Sequence, residues 1–238
     1  MNSVGQVTQK LGNITYTVNL YTSATSKETM SDIRNKQLNL FSAFEAAEAA
    51  AEQTIARNYA RSLIDLKGYL SSLFERYEQD GKLNYDDMTL YNRLAKMTQE
   101  VRGITVSLYS ENTRVIGSSL KSGYSTGFTG QGEIIKRAWG NQSLIGIIRD
   151  EEIQRAMNNE ISGLRWAERL DLRRDQAAAK ILETIVRGLH EGETYRQMAE
   201  RLNETVGKDV PNALRIVRTE TYRVFAEARK DRLDRIRV

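Results

Sequence analysis

The sequence offers few residue types for catalysis or metal binding. It contains no cysteine and one histidine, His190, which excludes disulfides, thiol catalysis, thiolate metal sites and a paired-histidine relay. His190 stands at the predicted C-terminus of a helix, where a cationic side chain interacts favourably with the helix dipole. No nucleophile-elbow, metalloprotease or kinase motif is present. We therefore predict that the protein is not an enzyme and that it uses no metal and no cofactor.

Two segments have the composition of ligand-binding loops. The first, YEQDGKLNYDDM, carries acids around Gly81, but a calcium loop in that register requires a carboxylate where Arg76 stands. We predict instead a helix–turn–helix corner, in which Asn84 caps the second helix. The second, SGYSTGFTGQG at 122–132, has four glycines but lacks the Gly-Lys-Ser/Thr sequence of a phosphate loop. We predict that this segment is a linker.

The clearest charge pattern lies at the end of the chain. Residues 213–238 contain eight basic and four acidic residues, a surplus of 8 − 4 = +4 that equals the net charge of the whole chain. One face of this predicted helix is apolar and should be buried; it carries Leu214, Val217, Val224, Phe225 and Ala228. The remaining cations fit a solvated face, and they are also candidates to contact DNA phosphates or an acidic protein surface. They are Arg215, Arg218, Arg229, Lys230, Arg232, Arg235 and Arg237.

The elements that carry these residues are predicted to be helices. The chain has one proline, and strong helix formers dominate its composition. Apolar residues recur at three- and four-residue steps, which predicts a mostly α fold: an elongated helical bundle of long antiparallel helices. Residues 1–26 alternate β-branched and polar residues, which predicts a short N-terminal arm, either extended or in β-strands. No apolar run is long enough to cross a membrane, and we predict no membrane association.

Local signals in the second half of the chain predict helix ends. Thr194 and Gln197 form a capping box, a break is expected near Gly163, and Pro211 fits the first turn of the last helix. The resulting organisation has four segments. They are an N-terminal arm (1–26), a long antiparallel helix pair (27–121), a glycine-rich linker (122–132) and a C-terminal helical domain with a basic terminal helix (133–238).

The order of these parts resembles a known family. A helix pair turns at YEQDGKL, the segment SGYSTGF follows, and then come GLHEGETYRQMAERL and ALRIVRTETYRVFAEAR. This ordered set covers roughly residues 55–238 and resembles the minor head proteins of tailed bacteriophages, the phage Mu F-like head morphogenesis family. The segment of Arg218, Thr219 and Glu220 resembles the family's most recognisable motif. The turn at Gly192 before the helix that reaches Leu202 is also similar.

The resemblance implies an assembly role rather than catalysis. Members are low-copy proteins of the head interior that are tied to the portal vertex and act in head assembly and in handling packaged DNA. It implies the portal protein as partner, with double-stranded DNA and the major capsid or scaffolding protein as further partners. The protein would be made in the bacterial host cytoplasm, would be oligomeric when assembled and would lie inside the virion. Many members continue past the last helix, whereas this sequence stops at Val238; a short member and a truncated one both fit.

Two further expectations follow. We expect Arg218, Thr219 and Glu220 to hold the last helix against the helix at 194–202. The alternative to a head protein is a cytosolic helical protein that binds DNA non-specifically through its basic C-terminal helix. Salt separates the two, because phosphate contacts weaken steeply as salt rises, whereas docking through apolar helix faces does not.

Overall fold

The structure is a computed structural model, and it describes residues 3–11, 14–21, 27–139 and 146–235. Helices dominate this part of the chain, which confirms the prediction of a mostly α fold. In chain order the elements are β1 (Ser3–Leu11), β2 (Ile14–Tyr21), α1 (Lys27–Tyr77), β3 (Glu78–Gln79), β4 (Lys82–Leu83), α2 (Tyr85–Thr89), α3 (Arg93–Trp139), α4 (Asp150–Asn158), α5 (Trp166–His190), α6 (Tyr195–Gly207) and α7 (Val210–Asp234). None of the described helices is long and apolar enough to cross a membrane.

The chain divides into two compact units, and their boundaries differ from the predicted segments. The first unit comprises residues 1–48, 120–157 and 221–238, and the second comprises 49–119 and 158–220. Helices α1, α3 and α7 each contribute residues to both units. A sequence-based division into consecutive segments could not find these units, because each is assembled from distant parts of the chain.

In the first unit, α7 packs against an antiparallel pair formed by parts of α1 and α3. Arg137 of α3 pairs with Asp32 near the start of α1. The Phe44 ring stacks on the Phe225 ring of α7 with centroids 4.2 Å apart, and Phe41 meets the same ring edge-on. These rings anchor the unit because each buried aromatic side chain contributes about 2–3 kcal/mol through removal of apolar surface from water. The buried cluster consists of Ile33, Leu40, Phe41, Phe44, Ile134 and Phe225.

The predicted linker at 122–132 is wrong, because this segment lies inside α3. Its glycines occupy the helix face that meets neighbouring helices. A Cβ atom on Gly127 would lie 2.6 Å from the Phe225 carbonyl oxygen of α7, and one on Gly123 would lie 3.2 Å from the Thr221 side chain. Gly123, Gly127 and Gly130 follow one another at steps of four and three residues, which keeps them on one helix face and permits close helix packing. In sequence, the same spacing among hydroxyl residues looks like a loop.

The N-terminal residues form a two-stranded antiparallel sheet. In β1 and β2, Val7 pairs with Val18 and Leu11 pairs with Ile14. The chain thus takes the β form of the two alternatives that the alternating pattern left open.

In the second unit, α1 and α3 again run antiparallel. The Asn58 side chain donates to Asn112 at 3.0 Å, and the Arg93 guanidinium lies 4.1 Å from the centroid of the Tyr77 ring. Between these helices the predicted corner is confirmed. The Asn84 side chain accepts from the Asp86 backbone N–H at 2.8 Å and caps α2.

The C-terminal helices of the second unit begin and end close to the predicted residues. The capping box of Thr194 and Gln197 is present, Gly163 lies in the break between α4 and α5 with a φ of +75°, and Pro211 is in the first turn of α7. Gly192 has a φ of +62° immediately after α5, a conformation that a side chain would strain. These boundaries were predictable because capping is decided by neighbours in sequence.

Candidate functional site

The basic residues of α7 do not form one cationic face. Arg215 and Arg218 belong to the second unit, Arg229, Lys230, Arg232 and Arg235 belong to the first, and Arg237 lies outside the described residues. Arg215, Arg218 and Lys230 are exposed, whereas Arg229 and Arg232 are buried and Arg235 is half-buried.

Three of the predicted DNA-contacting arginines instead form internal contacts of the first unit. Arg229 donates to the Gln131 side chain at 2.9 Å, and its guanidinium lies 4.8 Å from the centroid of the Phe41 ring. The guanidinium groups of Arg232 and Arg235 lie against the Phe128 ring. Arg235 also bonds to both carboxylate oxygens of Glu152 at 2.5 Å. These internal contacts contribute to packing within the first unit, so these three candidates are less available to an outside partner than exposed cations would be.

Arg215 and Lys230 differ from these three arginines in their exposure. Both side chains are exposed, so they stay candidates for an external anion. They lie on the parts of α7 that belong to different units. Of the two, only Arg215 lines one of the cavities described below.

The segment of Arg218, Thr219 and Glu220 connects α7 to two other helices of the second unit. Arg218 pairs with Glu52 of α1 through two nitrogens. Glu220 is fully buried and pairs with Arg169 of α5. We expected this segment to hold α7 against α6; the ion pairs described here lead to α1 and α5. Thr219 is exposed and lines the cavity beside Arg169.

A buried tyrosine–aspartate cluster fixes the turn between α6 and α7. The Tyr59 hydroxyl of α1 donates to the Asp209 carboxylate at 2.8 Å, and the Tyr109 hydroxyl of α3 donates to the same oxygen. Burial, reinforced by the neighbouring phenol and by the Asp209 carboxylate, raises the pKa of Tyr59 above its ordinary value. Burial and the Asp209 carboxylate likewise raise the pKa of Tyr109. Both phenols therefore stay protonated and act as donors near neutral pH.

We expect the Asp209→Ala variant to lose about 1–3 kcal/mol of unfolding free energy, because two buried hydroxyls lose their acceptor. Urea denaturation followed by circular dichroism measures this loss. Asp175→Ala is the matched control, because the Asp175 side chain is 72% exposed and its ion pair within the described residues is with its neighbour Arg174. An equal change in both variants would contradict the role given to the cluster.

Two adjoining cavities open between α5 and the α6–α7 region of the second unit, with volumes of about 280 and 300 Å³. They share Arg173, Gln176 and Asn212 in their walls, and we call them together the α5 groove. Its walls carry six basic side chains and two acidic ones. The basic residues are Arg169, Arg173, Lys180, Arg187, Lys208 and Arg215, and the acidic residues are Glu183 and Asp209.

The sequence analysis missed the α5 groove. The signal was present in α5, where Arg169, Arg173 and Lys180 recur at four- and seven-residue spacings on one helix face. Acids between them hide the surplus when charge is counted along the chain. The opposite wall comes from residues about 30–40 positions further on, which sequence patterns alone do not bring together.

The single histidine has a structural contact. The His190 ring stacks on the Tyr85 ring with centroids 3.8 Å apart, at the end of α5. In the part of the chain that the structure describes, no group of three or more His, Asp or Glu side chains is arranged to hold a metal ion.

Comparison with known proteins finds sequence similarity to a virion component. The chain is 27% identical to the minor head protein GP7 of Bacillus phage SPP1 over 179 residues, which is 75% of this chain and 58% of the phage protein. The chain is therefore similar to a phage minor head protein. This confirms the resemblance that the sequence motifs indicated. No protein-family model and no solved structure matches the chain.

A second relative of the chain has the name of an enzyme. The chain is 27% identical to the NAD(+)–arginine ADP-ribosyltransferase EFV of Enterococcus faecalis over 199 residues, which is 82% of this chain and 39% of the transferase. The chain therefore spans less than two thirds of the length of each of these relatives. The prediction that the protein is not an enzyme is contradicted by this match, because motif absence in one sequence does not exclude an activity found in a relative.

Proposed function

We propose that the chain is a minor head protein of a tailed bacteriophage, located in the virion interior and bound at the portal vertex. There it assists head assembly and the handling of packaged DNA. The observation that carries this proposal is the similarity to the SPP1 minor head protein over three quarters of the chain. The mostly α fold and the order of the sequence motifs support the same assignment.

The portal protein is the proposed main partner, with the major capsid or scaffolding protein as a further partner. Exposed apolar side chains on the second unit support docking to a protein surface. Ile64 of α1 is 69% exposed and Val106 of α3 is 51% exposed. The antiparallel pairing of Asn58 with Asn112 places Ile64 and Val106 at the same level of this helix pair. Apolar contacts of this kind form the centre of protein interfaces.

Co-purification with the portal protein of the same phage tests the proposed docking. We expect the chain to remain bound to assembled portal at about 0.5 M salt, because apolar contacts are not screened as phosphate contacts are. The Ile64→Glu/Val106→Glu double variant should lose at least about 10-fold in affinity, the effect of about 1.4 kcal/mol.

The matched control is Ala60→Glu/Ser107→Glu, which adds the same charge at exposed positions of the same helices. Unchanged portal binding by the Ile64/Val106 variant would contradict this surface. Portal binding that disappears at the higher salt would contradict apolar docking altogether.

A further inference from the structure

We propose that the α5 groove binds the phosphodiester backbone of nucleic acid. This places the nucleic-acid contact on α5 and the start of α7, rather than on the basic C-terminal end of α7. The inference rests on the proposed function for the identity of the partner, since a head-interior protein is surrounded by packaged DNA. Its physical basis is the charge, geometry and chemistry of the groove itself.

The charge of the groove is not neutralised by its own acids. Asp209 accepts from two tyrosine hydroxyls, and Glu183 pairs with Arg187 at 2.8 Å. Arg169 is held by the buried Glu220. Within the described residues, four groove cations make no ion pair: Arg173, Lys180, Lys208 and Arg215. Cations gathered in a concave surface attract an anion more strongly than the same charges spread over a convex one.

The groove cations that α5 contributes lie in a line along one face of this helix. Groove residues run along α5 from Arg169 to Arg187, which at 1.5 Å per residue is about 27 Å. Lys208 and Arg215 border the opposite wall. A single phosphate would engage one or two of these side chains. A strand with many phosphates engages all of them, since duplex DNA repeats a phosphate about every 3.4 Å along each strand.

The uncharged residues that line the groove favour a phosphate backbone over an acidic protein as the ligand. Gln176, Asn212 and Thr219 add amide and hydroxyl donors of the kind that position a phosphate backbone. A protein interface of similar size would need an exposed apolar centre. Among the groove residues, the exposed large apolar side chain is Leu172, at 52%.

Fluorescence anisotropy with the full chain and a labelled 20-base-pair duplex of mixed sequence tests the proposal. The groove variant is Arg173→Gln/Lys180→Gln/Arg215→Gln. We expect its affinity to fall at least about 30-fold at 50 mM salt. The slope of log affinity against log salt should decrease by about 3, one for each lost phosphate contact. The 20-nucleotide single strand is measured in parallel, and the tighter of the two probes identifies the form of nucleic acid that the groove accepts.

The control variant is Arg61→Gln/Arg102→Gln/Arg196→Gln, which removes the same charge from exposed positions of the second unit outside the groove. We expect less than about a 3-fold loss, because these charges act only at long range through screened solvent. Circular dichroism of both variants checks that they remain folded. The single variant Arg215→Glu, at an exposed position, repeats the test if the triple variant unfolds, with the same direction of effect expected.

Several results would overturn the inference. These are no binding of the unaltered chain to either probe, an equal loss in both triple variants, or tighter binding of polyglutamate than of DNA with the same dependence on the groove residues. The assay needs no virion, so its failure is separable from failure of the proposed function. A groove variant that still enters heads but has lost DNA affinity supports both the groove inference and the proposed function. If the unaltered chain binds DNA through the groove but is absent from heads, only the proposed function is overturned.

Discussion

The Glu220→Ala variant is expected to lose about 3 kcal/mol or more of unfolding free energy. Glu220 is fully buried in the second unit and pairs with Arg169 of α5. Removal of the carboxylate leaves the guanidinium of Arg169, which is 21% exposed, without its partner. Breaking a buried ion pair from one side costs about 3–5 kcal/mol, because the remaining charge stays desolvated. Urea denaturation followed by circular dichroism measures the loss.

An exposed pair provides the control for this variant. Glu183 and Arg187 lie four residues apart on α5, with side chains 65% and 56% exposed. Glu183→Ala is expected to change the unfolding free energy by less than about 0.5 kcal/mol. If Glu220→Ala were as mild, the contact between α7 and α5 would not hold the second unit together as we infer.

The second large effect concerns two glycines of the same helix. Gly127→Ala is expected to lower the unfolding free energy by about 2 kcal/mol, because the new Cβ would lie 2.6 Å from the Phe225 carbonyl oxygen and 3.2 Å from the Ala228 Cβ. Backbone atoms have to move apart to accept it. In contrast, a Cβ atom on Gly103 would have none of its neighbouring atoms within 4 Å. Gly103→Ala is expected to stabilise by about 0.5–1 kcal/mol, since alanine is the better helix former.

The two variants test this packing because their expected changes in unfolding free energy have opposite signs. Both glycines lie in α3, so an effect of helix propensity alone would stabilise both variants equally. The account requires a difference of about 3 kcal/mol between them in parallel urea denaturations. Stabilisation by Gly127→Ala would show that α7 does not approach α3 as closely as described. It would then restore the linker interpretation of residues 122–132.

Features decided by neighbours in sequence were predictable. The cap at Asn84, the capping box at Thr194 and the position of Pro211 depend on residues within one helical turn, and the structure confirms them. The apolar face of α7 was also predicted, and Val217, Val224, Phe225 and Ala228 are buried. The period of a helix is enough to identify a buried face.

Features decided by distant partners were not predictable. Arg229 is one of several cations in a basic helix, and its buried contacts include the Gln131 side chain, 98 positions away in sequence, and the Phe41 ring. The glycines at 123 and 127 have loop composition, and only the close approach of α7 reveals their packing role. The same limit hid the α5 groove, whose walls come from separate helices.

The family resemblance and the physical reading of the residues support each other in one segment. Arg218 and Glu220 belong to the segment that resembles the family's motif, and both make ion pairs with other helices of the second unit. Their role in this structure is to position α7. Thr219 lies between them, exposed and in the wall of the α5 groove.

Quantitative mass spectrometry of purified, nuclease-treated virions, from a phage that carries this gene, tests the central claim most directly. We predict that the chain is present at a few copies per head, in a constant ratio to the portal protein. Absence from the virions, with the protein abundant in the lysate, would contradict the assignment as a minor head protein. It would favour instead a transient assembly factor or a cytosolic DNA-binding protein.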